Sequence, residues 1–221
     1  VDPIRGFSNM SMFTTIKAAV TAATDGDLIY VLPGTYNENG LVKNNINYYF
    51  CQGAKLWFTG TGNSVNDNND IIQGSNITVD GFGDFRFDYP NIDSNSISSS
   101  IFKISGGNGR IRGYKAYSRN FITTGSDYLY SVEFYEVGLI PNTINYTIRT
   151  EFAYVLFSNY IEKLIINTVN VNLTSNFIKR YFLIHSYLNM NNVYSIIEIE
   201  IMNITGVDTH SLVLLHSNVF R

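Results

Sequence analysis

The chain has 221 residues, with 15 Lys plus Arg against 18 Asp plus Glu and a formal net charge of −3; that length can bury one sizeable core or two small ones, and no basic excess draws in nucleic acid. Hydrophobic residues make up 45% and charged residues 15%, a balance that favours collapse and excludes an intrinsically disordered chain. Cys51, the one cysteine, allows no intramolecular disulfide, Cys and His are not paired at zinc-site spacing, and no run of about 18 apolar residues predicts a membrane span.

The residue skew points to strands. There are 27 Asn, 26 Ile, 16 Tyr and 15 Phe against 4 Pro and 4 Met, and β-branched and aromatic side chains pack well on pleated surfaces. Codon bias in an AT-rich genome would raise Asn and Ile too, but it would also raise Lys, which numbers only 7.

The first predicted element is a helix over Thr14 to Thr24: Ile16, Ala19, Val20 and Ala23 share one face, Thr14 or Thr15 can cap it, and Asp25-Gly26 stops it. The period then changes. Short apolar runs follow at Leu28 to Leu32, Thr35-Tyr36, Leu41-Val42, Ile46 to Phe50, Lys55 to Phe58, Ile77 to Val79, Phe85 to Phe87, Ile101 to Ile104 and Leu129 to Phe134, bounded by Gly, Asn, Asp and Ser. They are too short for buried helices and read as strands. Few tight Asn-Gly connections separate them, and many are continuous rather than alternating, which argues for parallel strands stacked in successive turns of a solenoid. The stretches Val169 to Leu173 and Ile197 to Ile201 alternate strictly and predict half-exposed strands, either of plainer solenoid turns or of a separate small β-sandwich. Stacked Asn side chains are expected to form hydrogen-bonded ladders along such a solenoid.

Phe13-Thr14-Thr15-Ile16-Lys17-Ala18-Ala19-Val20, then Asp25-Gly26-Asp27-Leu28-Ile29-Tyr30-Val31, then Pro33-Gly34-Thr35-Tyr36, resemble the opening of pectin-lyase-like right-handed parallel β-helices, in which an amphipathic helix precedes the first strands. Asn76 to Gly83 is similar to a recurring turn of that superfamily. The resemblance implies an all-β, single-stranded parallel β-helix: residues 1–24 would supply an N-terminal segment and capping helix, and 25–221 the β-helix. The chain opens at Val1-Asp2-Pro3 rather than Met and ends directly after the strand-like Leu212 to Leu215, so a processed or excised piece of something longer is expected.

Members of that superfamily that cut polysaccharides use acidic pairs for hydrolysis, or Ca²⁺ with an Arg or Lys base for elimination. Asp67, Asp70, Asp80, Asp84, Asp88 and Asp93 are available here, with Asp80 and Asp84 the pair to test if the chain is an enzyme, and Ca²⁺ the cofactor if it is lyase-like. The hydrolase branch carries Asn-Thr-Asp, an Asp pair, Gly-His-Gly and Arg-Ile-Lys, none complete here. Gly109-Arg110-Ile111-Arg112-Gly113 matches the last only superficially, and His185, His210 and His216 have no flanking Gly pair. Arg110, Arg112 and Arg119 read as solvated charges. Among Tyr48, Tyr49, Trp57, Tyr114, Tyr117, Tyr128, Tyr130 and Tyr135, at least half are expected in the core and the rest on an outer face, where they could stack on sugar rings or form a subunit contact.

The resulting expectation is a non-enzymatic module of a fibre or spike, of viral or phage type, bearing no resident cofactor or metal. It would act outside the cell or on a virion surface and bind cell-surface carbohydrate through a low-charge, Asn-rich surface suited to neutral partners. The apolar end at Leu212 to Phe220 would be covered by association, with a trimer expected first. The rival expectation is a polysaccharide lyase or glycoside hydrolase working in a groove of the same scaffold.

Overall fold

The structure, a computed structural model, describes residues 11–59, 70–88, 100–104, 109–118, 129–139, 152–158, 161–173, 180–186, 196–206 and 211–217. Asp67, Asp93, Arg119, Tyr128 and His210 lie outside them.

Helix α1 (Ile16–Ala22) is shorter at both ends than the predicted span. Thr15 caps it by accepting the Ala18 N–H at 3.1 Å, as a β-region hydroxyl residue does at an N-cap. At the other end the Thr24 N–H and hydroxyl both donate to Asp27 Oδ2, at 2.6 and 3.0 Å. That local turn competes with a further helical bond, and Gly26 (φ +88°) then takes the left-handed conformation. Ile16, Val20 and Ala23 are buried in the same apolar cluster as the strands.

Three sets of three short strands follow. They are β1 (Leu28–Val31), β2 (Gly34–Tyr36) and β3 (Leu41–Val42); β4 (Asn47–Phe50), β5 (Ala54–Thr59) and β6 (Ile72–Gly74); and β7 (Thr78–Gly81), β8 (Asp84–Asp88) and β9 (Phe102–Ile104). Longer strands come next: β10 (Gly109–Ser118), β11 (Leu129–Leu139), β12 (Phe152–Ser158), β13 (Ile161–Leu173), β14 (Arg180–Ser186), β15 (Ile196–Gly206) and β16 (Ser211–Ser217). Each strand pairs in parallel with the like-placed strand of the neighbouring set, giving β1-β4-β7, β2-β5-β8 and β3-β6-β9. Strand β10 pairs with β7 through Arg110 and Ile111 and with β8 through Lys115 to Ser118, so one continuous strand takes over two positions of a set. Strands β11, β13 and β15 extend that sheet in order, while β12-β14-β16 form a separate parallel sheet. Three strands of the second half, β11, β13 and β15, therefore continue the sheet of the first half, and all its described pairings are parallel. Strands β6, β10, β12 and β14 were not among the predicted runs.

The long strands carry a phase change. In β10, Ile111 and Gly113 face the core before it and Ala116 and Ser118 after it, leaving Tyr114 and Lys115 outward in succession. Strand β11 repeats this with Val132 and Phe134, then Val137, and β13 with Leu164 and Ile166, then Val169. Strict alternation would bury every second residue, so two successive outward residues re-aim the strand. In the third set, Gly81-Phe82-Gly83 occupies the same place between β7 and β8. Gly81 (φ +99°) is required there, since a Cβ would lie 2.2 Å from the Phe50 carbonyl oxygen.

Aromatic rings fill the interior across sets. Phe85 makes edge contacts with Phe50 and Phe102 at 4.8 and 4.9 Å, and with Phe134 at 6.3 Å. Gly113, directly in register with Phe134, leaves the room: a Cβ would lie 2.7 Å from both the Phe85 and Phe134 rings. The expected amide ladder forms where the chain enters the first strand of each set. Asn45 Nδ2 donates to Asp25 Oδ2 at 2.9 Å, and Asn76 Nδ2 to Asn45 Oδ1 at 3.1 Å. Asn45 and Asn76 both have φ near +50°, a conformation that Asn tolerates better than other side chains.

Candidate functional site: an outward aromatic column between two charge ladders

Parallel register turns single residues into columns that run across the strands. One column follows the phase change. Counting on from the pairing of Ile111 with Val79 brings Phe82 to the place beside Tyr114, and Tyr135 follows on β11; all three have about half of their surface exposed. Tyr114 and Tyr135 stack with centroids 5.2 Å apart and planes at 13°, and Lys115 Nζ lies 5.3 Å from the Tyr114 ring centre. The next places in register are Asn167 and Glu200, joined by a hydrogen bond from Asn167 Nδ2 to Glu200 Oε2.

On one side of this column lies a ladder of alternating charge. Asp80 Oδ1 meets Arg112 at 3.5 Å, Arg112 meets Glu133 Oε2 at 3.0 Å, and Glu133 Oε1 meets Lys163 Nζ at 3.5 Å. Asp80 Oδ1 also accepts the Gly81 N–H at 2.8 Å. Arg112 keeps 42% of its side chain exposed, as a solvated charge does, and in addition bridges two carboxylates, which the sequence did not reveal. Four charges of alternating sign on neighbouring strands reinforce one another more than an isolated exposed pair does.

On the other side, Lys55, Asp84, Lys115 and Glu136 follow one another in register. Lys115 Nζ reaches Glu136 Oε2 at 2.8 Å, while Glu136 Oε1 accepts the Tyr117 hydroxyl and, at 2.6 Å, Asn170 Nδ2. Asn203 Nδ2 then donates to Asn170 Oδ1 at 2.9 Å, a second amide step. Burial opposes ionisation of Glu136, but hydrogen bonds from Lys115 and Tyr117 outweigh it and hold the carboxyl below its ordinary value. The hydrogen bond to Glu136 raises Lys115, and burial followed by the bond to Glu136 raises Tyr117. Gly138 makes space here, since a Cβ would lie 2.5 Å from the Tyr117 ring.

Trp57 lies at the start of this face, with Lys55 Nζ 4.8 Å and the Arg86 guanidinium 5.9 Å from its ring centre, a geometry in which ring and cation attract. Of the aromatic residues singled out in the sequence whose side chains are described, Tyr48 alone is buried, while Tyr49, Trp57, Tyr114, Tyr117 and Tyr135 all retain exposed surface. The expectation that half of them fill the core is corrected accordingly. Phenylalanines take the interior because they bring no hydroxyl that burial would have to satisfy.

Asp80 and Asp84 fall on opposite sides of Phe82, each within its own ladder, and no hydrogen bond or ion pair between them is seen among the described residues. Asp70 is buried: its Oδ1 accepts the Ser100 N–H and hydroxyl at 2.8 and 2.6 Å, and its Oδ2 faces Lys103 Nζ at 3.2 Å. It ties β9 to the start of β6. Asp88 pairs with Arg86 at 3.8 Å. Among the described residues no group of three or more His, Cys, Asp or Glu could hold a metal ion. His185 and His216 are register partners on β14 and β16. Sequence reasoning missed Glu133, Glu136 and Lys163, whose partners lie about 20 to 30 residues away and are joined only by register.

No protein-family model matches the chain, and none of the curated proteins or solved structures matches it significantly.

Proposed function

We propose that the chain winds as a right-handed, single-stranded parallel β-helix of the pectin-lyase-like kind, capped by α1, and serves as a non-enzymatic module of a fibre or spike that binds cell-surface carbohydrate. Strand pairing between like positions of successive sets supports the winding, and parallel crossovers are right-handed in nearly all proteins. The observation that carries the binding reading is the exposed column Phe82, Tyr114 and Tyr135, flanked by amide and carboxylate groups. Exposed ring surface with hydrogen-bonding neighbours matches the apolar patches and hydroxyl edges of sugars. A site of this kind on an extracellular or virion-surface rod gains avidity from several copies, so parallel association of three chains belongs to the reading.

The test is retention of the purified chain on immobilised polysaccharides, with reducing ends and unsaturated products followed with and without Ca²⁺. Binding without turnover is expected. Turnover lost in Asp80→Ala or Asp84→Ala would replace the adhesion reading with a glycoside hydrolase or a polysaccharide lyase, according to the product. Sedimentation is expected to give a trimer, and a stable monomer would remove the fibre assembly.

A further inference from the structure

Phe82, Tyr114 and Tyr135 form a column that runs across the strands, and the charges on both sides of it are already opposed. Toward β7, Asp80, Arg112, Glu133 and Lys163 contact one another in sequence at 3.5, 3.0 and 3.5 Å. Toward β8, Lys55, Asp84, Lys115 and Glu136 alternate in register, with Lys115 bound to Glu136 at 2.8 Å. Resting on the carbohydrate-binding reading above, we propose that the ligand is an uncharged glycan chain, lying along this column and therefore perpendicular to the strands.

An anionic chain on the column would have to take Arg112, Lys115 or Lys163 away from Glu133 and Glu136, and it would meet Asp80, Asp84, Glu133 and Glu136 as like charges. Both effects oppose binding. A hydroxyl can donate to a carboxylate or accept from an ammonium without displacing the existing partner, because each group keeps further hydrogen-bonding capacity. Ring exposure supplies the apolar contact: Phe82 is 54%, Tyr114 44% and Tyr135 52% exposed. The Tyr114–Tyr135 stack at 5.2 Å holds both rings in place, so binding loses little side-chain freedom. Adjacent strands are about 4.8 Å apart, close to the length of one pyranose unit, so successive sugars of a chain on this axis meet successive strands.

The experiment measures binding of the whole chain to dextran, galactomannan and mixed-linkage β-glucan as neutral probes, and to polygalacturonate and alginate as acidic ones. Salt is varied from about 0.01 M to about 1 M, over which the Debye length falls from about 30 Å to about 3 Å. At least one neutral polymer is expected to bind, with affinity constant within about twofold across that range and weakened about tenfold or more by Tyr135→Ala or Phe82→Ala. These side chains are exposed, so both variants fold. Binding confined to the acidic polymers and collapsing with salt would leave the carbohydrate reading standing and overturn the uncharged ligand. Neutral binding indifferent to both substitutions would overturn its position. Loss of self-association in Tyr135→Asp with glycan affinity intact would make the column a subunit contact and overturn the proposal. No binding to any polymer would remove the carbohydrate reading itself.

Discussion

Glu38 closes the N-terminus of α1 from 22 residues away: its Oε1 accepts the Ile16 N–H at 3.0 Å, and its Oε2 the Lys17 N–H at 2.7 Å. The first turn of a helix has backbone donors with no internal partner and a partial positive charge, and a carboxylate answers both. Since Glu38 follows β2, the bond also fixes the helix against the first strands. Glu38→Ala is expected to lower stability by about 1–2 kcal/mol, and Val20→Asp by several more through burial of an unpaired charge. Denaturant unfolding of both variants measures this; an unchanged midpoint in Val20→Asp would show that α1 covers nothing.

Tyr48 is 1% exposed, and no partner for its hydroxyl is found among the described residues. Burial raises its pKa well above the ordinary value. A group raised on folding contributes stability that is complete below the unfolded pKa, about 10 for tyrosine, and lost as pH climbs toward the folded value. Tyr48→Phe removes both the unsatisfied hydroxyl and this titration. It should be neutral or stabilising by about 1 kcal/mol at pH 7, with alkaline unfolding moved to higher pH. Thermal melts between about pH 7 and 11 decide it, and destabilisation would mean that the hydroxyl has a partner.

Phe85 contacts the rings of Phe50, Phe102 and Phe134, which come from different strand sets. Phe85→Ala should cost about 3–5 kcal/mol. Gly81→Ala meets the Phe50 carbonyl and a positive φ together, so it should also unfold at markedly lower denaturant, about 2 kcal/mol or more below the parent. Parent-like unfolding of Gly81→Ala would contradict the close approach of β7 to β4.

Glu136 and Lys115 titrate in opposite limbs. The lowered carboxyl contributes stability above its unfolded pKa, about 4.3, and loses it as pH falls through the lower folded value. Raised Lys115 and Tyr117 contribute below about pH 10 and lose it as pH rises through their higher folded values. Glu136→Gln should therefore destabilise by about 1 kcal/mol at neutral pH and flatten both limbs of the stability profile. A parallel downward shift with both slopes retained would show that the three groups are not coupled.

Much of the first half could be read from local chemistry. The runs Leu28 to Leu32 and Ile46 to Phe50 stand out because Pro-Gly, Asn and Asp bound them, and α1 because its apolar residues recur at helical spacing. Strand β6 escaped notice since it offers only Ile71-Ile72 between polar neighbours. Strand β10 was hidden by its phase change, where outward Tyr114-Lys115 breaks the alternation and inward Gly113 looks like a turn residue. The two charge ladders were illegible for a different reason. Asp80, Arg112, Glu133 and Lys163 sit on four separate strands, and no local pattern reveals which residues register brings together.

The like-to-like pairing of strands also has a kinetic consequence. Hydrogen bonds of each strand go to the sets just before and just after it, so no pairing has to wait for the two ends of the chain to meet. Loop closure then carries nearly the same entropic penalty at every step, about that of 20 to 30 residues, and ordering can spread from whichever sets assemble first. The rings of Phe50, Phe85, Phe102 and Phe134 make the middle of the chain the natural nucleus, with structure growing outward toward β1 and β15. Hydrogen exchange should accordingly fade in steps from the centre to both flanks instead of opening everywhere at once.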